Sequence, residues 1–276
     1  MESIATYILI LTATGVLVGL TTGLLGIGGG FLIVPILYFL LLSQGVDPTT
    51  AIRIAFGTSL AIIIPTAISS SVGHYRKNQV EVKAALYMGS TGFVGAILGG
   101  YVATHTPGDI LRILFAFALL MVAVRMFFFK ETGSNRNRKD NLLFILIIGF
   151  TAGIMSGLVG VGGGVIIVPA MVFLLGYTMK IAGGTSSAVI ILTSLGGITA
   201  YIVNGIGVSG LPAYSLGYVN LLQFLVIVIF SIPLAQLGSY LSNRVPEKIL
   251  RYIFVIMLIF ISLQMLGIFR WLGIPI

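Results

Sequence analysis

The sequence predicts an all-α polytopic membrane protein made of two inverted repeats of about five hydrophobic segments each, with glycine-broken or re-entrant short helices at the centre. Three observations predict it. Of 276 residues, 58% are hydrophobic and only 8% charged, with mean hydropathy +1.13; a soluble domain cannot cover its surface with so few charges. Apolar stretches long enough to cross hydrocarbon, about 20 residues each, recur along the chain. Finally, Gly23-Leu24-Leu25-Gly26-Ile27-Gly28-Gly29-Gly30-Phe31-Leu32-Ile33-Val34-Pro35 returns, shifted by 134 positions, as Gly157-Leu158-Val159-Gly160-Val161-Gly162-Gly163-Gly164-Val165-Ile166-Ile167-Val168-Pro169.

The elements follow in order. Apolar segments run at 4–25, 29–42, 53–73, 84–104, 110–129, 142–159, 163–176, 181–204, 216–241 and 248–269. The first follows Glu2 with no basic n-region, so it reads as a structural helix and not a cleaved signal. The second and seventh are short for a crossing. The polar stretch 130–141 is the clearest break; it divides a first membrane repeat, 1–129, from a second, 142–276, the two forming one transmembrane domain. Further echoes support duplication: Arg53…Gly57-Thr58-Ser59 with Lys180…Gly184-Thr185-Ser186, and Leu98-Gly99-Gly100-Tyr101…Pro107 with Leu237-Gly238-Ser239-Tyr240…Pro246.

Loop charges orient the segments. The loop after segment 3 carries Arg76, Lys77 and Lys83 against Glu81 and is expected in the cytoplasm; its counterpart after segment 8 has no charge and is expected outside. The linker 130–141 is basic and is likewise placed in the cytoplasm, with both termini outside. The net charge of +8 is read as this positive-inside bias and not as a nucleic-acid surface.

The glycine breaks are the first candidate site. Irregular backbone at membrane depth must be buried in protein or line a wet cavity. Free N–H groups and the dipole at a helix start suit an anion, and glycine lets a ligand approach the backbone. Gly26, Gly28, Gly29, Gly30, Gly160, Gly162, Gly163 and Gly164 are therefore expected to bind substrate, with Pro35 and Pro169 marking the break at the first turn of the helix that follows. The alternative for the glycines is tight packing or a hinge. Thr58, Ser59, Thr185 and Ser186, near the starts of segments 3 and 8, offer hydroxyls to an oxyanion; the alternative is back-bonding to the preceding turn. Arg53 and Lys180, one turn before those motifs, attract an anion or anchor the helix at the interface. Gly15, Gly19 and Gly23, like Gly149, Gly153 and Gly157, lie at i, i+4 and i+8 and are expected to pack the repeats together.

Absences narrow the chemistry. The chain has no cysteine, and its acids (Glu2, Asp47, Glu81, Asp109, Glu131, Asp140 and Glu247) all fall in loops or at segment edges. A carrier of cations or a carboxylate proton relay needs an acid inside the membrane, so an anion is favoured. His74 and His105, the only histidines, stand at segment ends without a carboxylate nearby in sequence, so no catalytic triad, metal site or cofactor is expected. The neutral groups Ser90, Thr91, Thr193, Ser194, Asn204, Ser231, Gln236 and Gln264 read as helix glue.

At its paired Gly-Leu-x-Gly-x-Gly-Gly-Gly…Pro motifs, and at Gly57-Thr58-Ser59-Leu60 followed by His74, the chain resembles the TauE/SafE family, the sulfite exporter group of membrane permeases. The resemblance covers nearly the whole chain. It implies a multi-pass transporter of the prokaryotic cytoplasmic membrane that moves small sulfur-containing anions such as sulfite or organosulfonates. The resulting expectation is a secondary transporter, not an enzyme, working by alternating access in the lipid bilayer; its coupling ion is open between proton and sodium. A passive anion channel, or a permease for another small organic anion, is the alternative.

Overall fold

A computed structural model describes residues 4–25, 28–128, 141–241 and 247–268. Its order is α1 (Ile4–Leu25), α2 (Gly30–Ser43), α3 (Pro48–Tyr75), α4 (Val82–His105), α5 (Gly108–Phe128), α6 (Leu142–Val159), α7 (Gly164–Phe173), α8 (Met179–Gly205), β1 (Ser215–Leu216), β2 (Val219–Asn220), α9 (Leu221–Leu241) and α10 (Glu247–Met265). Six of these helices are long and apolar enough to cross a membrane. Every apolar segment of the sequence becomes a helix. The basic linker 130–141 lies outside the described residues except for Asn141, whose side chain accepts from Leu143 N at 3.0 Å and starts α6.

The sequence reading differs from the structure at element ends. Segment 3 starts at Pro48 and not near residue 53, because Asp47 caps it, accepting from the amides of Thr49 at 3.0 Å and Thr50 at 3.1 Å. Thr58 and Ser59 are therefore well inside the helix. Segment 9 does not begin at 216: a two-stranded hairpin pairs Ser215 with Asn220, turning at Gly217 (φ 55), and α9 starts after it. Segment 7 ends at Phe173. Pro35 and Pro169 are the sixth residues of α2 and α7, inside both helices. Positive-φ glycines make the break, so the helix is already under way when the proline is reached.

Contacts give the helix directions. Gly15, Gly19 and Gly23 of α1 face Ile227, Ser231 and Ala235 of α9, so the two run parallel. Gly149, Gly153 and Gly157 of α6 face Met88, Gly92 and Ala96 of α4, also parallel. The first helix of each half thus packs against the fourth helix of the other. Between these pairs stand α3 and α8, antiparallel: Gly57 lies against Tyr201, Leu60 against Gly197, Ser70 against Ser187 and His74 against Gly184. The apolar stretch of α3 is 78% buried against 28% for α1, which makes α3 a central helix. Outward apolar side chains such as Leu9, Leu98, Phe117, Ile229 and Ile256 face where lipid would lie. One end of the bundle holds the basic loop between α3 and α4; the other holds the β1–β2 hairpin.

Candidate functional site

Both glycine-rich breaks are reversals. Gly28 and Gly29 take left-handed backbone angles (φ 93 and 64), and a methyl on Gly29 would lie 2.7 Å from both Thr22 Oγ1 and Val18 Cγ1. The chain has therefore turned back alongside α1. In the second half Gly160, Gly162 and Gly163 (φ 69, 81 and 82) do the same, and Gly163 packs on Ala152 O and Ser156. Only glycine adopts such angles without penalty. Leu32 and Ile33 donate to Gly29 O, and Ile166 and Ile167 to Gly163 O, so Gly30 and Gly164 open their helices with amides that have no preceding turn to bond to.

The two reversals meet. A methyl on Gly30 would stand 2.7 Å from Val161 Cα and 3.0 Å from Gly160 O; one on Gly28 would stand 3.4 Å from Val161 O. From this meeting point α2 runs toward the hairpin end and α7 toward the basic end, so their N-termini face each other. The point lies at mid-height of the bundle, between Ile63 of α3 and Ile190 of α8. Ile190 touches the positions of Gly28 and Gly162, and Ile63 those of Gly30 and Gly162. Gly26 belongs to this stretch by sequence and lies outside the described residues.

Around the meeting point stand hydroxyls without a partner. Among the described residues, the buried oxygens of Thr22, Ser59, Ser156, Ser186 and Ser194 make no hydrogen bond. Four form two equivalent pairs: Thr22 with Ser156, 134 positions apart, and Ser59 with Ser186, 127 apart. Thr22 points at Gly29, and Ser194 Oγ would lie 3.3 Å from a methyl on Gly162. Ser59 is one turn before Ile63, and Ser186 one turn before Ile190, on the faces that meet the breaks. Buried hydroxyls normally find partners; an unmet set gathered around helix N-termini can hydrogen-bond a bound oxyanion.

The threonines beside these serines are occupied. Thr58 Oγ1 accepts from Asn220 N at 2.9 Å, and Thr185 Oγ1 accepts from Glu81 N at 2.9 Å. Each ties a central helix to the start of the helix after its counterpart: Asn220 precedes α9, and Glu81 precedes α4. Thr58→Val and Thr185→Val are each expected to cost about 1–3 kcal/mol, the penalty of stranding a buried amide, as read by thermal unfolding in detergent. The Thr→Ser variants, which keep the acceptor, are expected to recover most of the loss.

Arg53 is also engaged. Its guanidinium donates to Thr106 O at 3.0 Å and Tyr218 Oη at 3.3 Å, with Tyr218's ring 5.7 Å away, so it fastens the end of α4 and the hairpin. It lies at the hairpin end, one turn before Phe56, against which Gly160 of the second break packs. Lys180, exposed at the start of α8, is at the basic end beside Lys77. Burial, followed by repulsion from Lys180, holds the Lys77 ammonium below its usual pKa. Of the described acids, Asp47 caps α3, Glu81 precedes α4, Asp109 lies in the first turn of α5 and Glu247 opens α10, all at helix ends. Among the described residues no group of three His, Asp or Glu side chains is close enough to hold a metal ion.

Sequence reasoning missed Thr22, Ser156, Ile63 and Ile190 as lining residues and took Ser194 for glue. The signal was present: Thr22 and Ser156 directly precede the repeated glycine motif, and Ile63 and Ile190 stand five residues after Thr58 and Thr185.

The profile of the family described as sulfite exporter TauE/SafE matches residues 11–265. A probable membrane transporter protein of Methanocaldococcus jannaschii is 32% identical over 244 residues, covering 88% of this chain and 89% of the relative. One from Haemophilus influenzae is 30% identical over 260 residues, covering 94% and 98%. The probable membrane transporter protein YunE of Bacillus subtilis is 28% identical over 284 residues, covering 94% and 98%. No solved structure matches the chain.

Proposed function

Because this chain belongs to the TauE/SafE family of membrane transporters, and is thus a multi-pass protein of the cell membrane, we propose that it is a secondary transporter of small sulfur-containing anions, sulfite or organosulfonates, working by alternating access. The observation that carries this reading is the meeting of the two glycine reversals at mid-height, with the amide ends of α2 and α7 facing each other among five unpartnered hydroxyls. Aligned backbone amides at a helix start favour negative charge by about 0.3–2 kcal/mol per helix, more as water is excluded. A tetrahedral or pyramidal sulfur oxyanion offers several acceptor oxygens, which matches donors arriving from both sides.

Alternating access accounts for the rest. The reversals touch, so an anion passing between them requires one to move away from the other. We read the antiparallel α3 and α8, and the exchange of α1 and α6 onto the opposite half, as an inverted pair of repeats. Rocking one half against the other would separate one reversal at a time, opening the site first to the basic face, assigned to the cytoplasm, and then to the other. The anion's charge would be met by amides and hydroxyls throughout, with no covalent step, so the protein acts as a carrier and not an enzyme.

Purified protein in liposomes is expected to move labelled sulfite with saturable kinetics and to be accelerated by unlabelled sulfite or sulfonate on the opposite side. Linear, unsaturable flux without that acceleration would favour a passive channel. Saturable flux of small carboxylates but of neither sulfite nor sulfonates would reassign the substrate.

A further inference from the structure

The two halves close their first helices in the same way with different chemistry. Gly23 of α1 and Gly157 of α6 are equivalent, 134 positions apart; His74 of α3 and Tyr201 of α8 are equivalent, 127 apart. His74 Nε2 lies 3.1 Å from Gly23 O, and Tyr201 Oη donates to Gly157 O at 2.8 Å. Each central helix thus supplies a donor to a carbonyl at the end of the helix that leads into a glycine reversal. In one half that donor is a phenol, in the other an imidazole. Since Gly23 O can only accept, Nε2 carries a proton, and Nδ1 is the atom that gains or loses one. Nδ1 stands 3.0 Å from Gln79 Oε1, so a protonated ring has an acceptor on each nitrogen, while a neutral ring needs the Gln79 amide turned to present its NH₂.

We infer that His74 is the binding site for a coupling proton, taken up at Nδ1 from the basic face and carried with the anion, while Tyr201 performs the same capping duty without titrating. The inference rests on the anion-carrier reading above and deepens it. The described acids all lie at helix ends, so His74, 3% exposed and bonded to Gly23, five residues before the positive-φ Gly28, is the imidazole placed to act. Lys77, on the loop that follows α3, is the charged group that acts on it; Glu81 follows on the same loop, Lys180 at the start of α8 and the Tyr240 ring of α9 stand beside Lys77, and from α1 the ring meets the Gly23 carbonyl. Lys77 is drawn off toward α9, donating to Ser239 O at 2.6 Å and Tyr240 O at 3.2 Å. The carbonyl ends of α1 and α3 converge on the ring, and a charged Nε2–H strengthens the bond that holds α1 to α3. Ser70 reinforces the same junction, donating to Thr22 O at 3.3 Å. Proton and anion have opposite charge on either side of one reversal, so each favours the other, and by linkage the effect is reciprocal.

The test uses liposomes containing the purified full chain and an internal pH dye, with labelled methanesulfonate, which stays a monoanion near neutral pH. Wild-type flux is expected to rise severalfold from about pH 8 to pH 6, the range over which imidazole titrates, and to carry protons in the direction of the anion. His74→Gln, which retains a donor, is expected to lose both the pH dependence and the proton movement, whereas Tyr201→Phe retains the shape of the pH profile. A His74→Gln protein with the wild-type profile and wild-type proton movement overturns the inference. If wild type moves neither methanesulfonate nor sulfite, it is the transport reading that fails. The proton site is then decided by NMR of ring-labelled histidine, with His74 assigned by loss of its signal in His74→Gln. Titration between about pH 5 and 8, shifted upward by sulfite, supports it, and a resonance that does not move across that range overturns it.

Discussion

Alanine at Gly162 is expected to lower sulfite flux at least tenfold while the protein still folds. Gly162 sits at φ 81, where an L-residue costs about 1–2 kcal/mol. Its new methyl would lie 2.9 Å from Ile190 Cγ2 and 3.3 Å from both Ile63 Cγ2 and Ser194 Oγ. The first two are side-chain ends that can shift, so the fold tolerates the change, but the methyl intrudes among the side chains that line the meeting point. Gly45→Ala supplies the control: Gly45 has φ 82 and open space around it. It should lose similar stability and no flux. Gly162→Leu, which fills the centre outright, should be inactive. Measured side by side in liposomes, with unfolding followed in detergent, equal flux from Gly162→Ala and Gly45→Ala proteins would dismiss the reversal as the site.

Leucine at Gly153 is expected to abolish folding. A Cβ there would overlap Gly92 O and stand 2.6 Å from Gly92 Cα, both backbone atoms of α4. Backbone cannot swing aside as a side chain can, so α6 and α4 would have to separate along their length. Overpacking of this kind costs about 1–3 kcal/mol for a methyl and more for a larger group. Gly153→Ala should therefore reduce the yield of monodisperse protein, and Gly153→Leu should leave none, as read by size-exclusion chromatography in mild detergent. The same holds for Gly23, whose Cβ would overlap Ala235 O and lie 2.7 Å from Ser239 N. A Gly153→Leu protein of wild-type stability would show that the two helices do not approach in the membrane as described.

These residues also show how far the sequence could be read. Gly153 and its mates were legible because i, i+4 spacing on a helix is a local property; that they serve α1 against α9 and α6 against α4 was not, because the partner lies in the other half. The reversals were legible as breaks for the same local reason, since glycine clusters weaken a helix wherever they fall. Pro35 and Pro169 misled: the prolines looked like the first turn, yet positive-φ glycines had already begun the helix. Thr58 and Thr185 read as hydroxyls for a ligand because Gly57 and Gly184 precede them and the pair recurs; the amides their oxygens accept from, those of Asn220 and Glu81, stand in distant segments and are not legible there. Arg53 is open in the sequence between attracting an anion and anchoring its helix, and its contacts with Thr106 and Tyr218, in distant segments, cannot be read there.

The sequence by itself determined the membrane class, the recurrence of the glycine motif 134 positions on, the segments that become helices and the places where they break. All of these depend on composition and on short-range spacing. Only the tertiary structure decided that each break reverses the chain, that the two reversals touch, that Ser59 and Ser186 and not Thr58 and Thr185 are left unpartnered, and that His74 and Tyr201 close equivalent helix ends. Those facts depend on which backbone group meets which side chain across many tens of residues, and in a bundle whose surface is apolar throughout, periodicity does not say which face finds which.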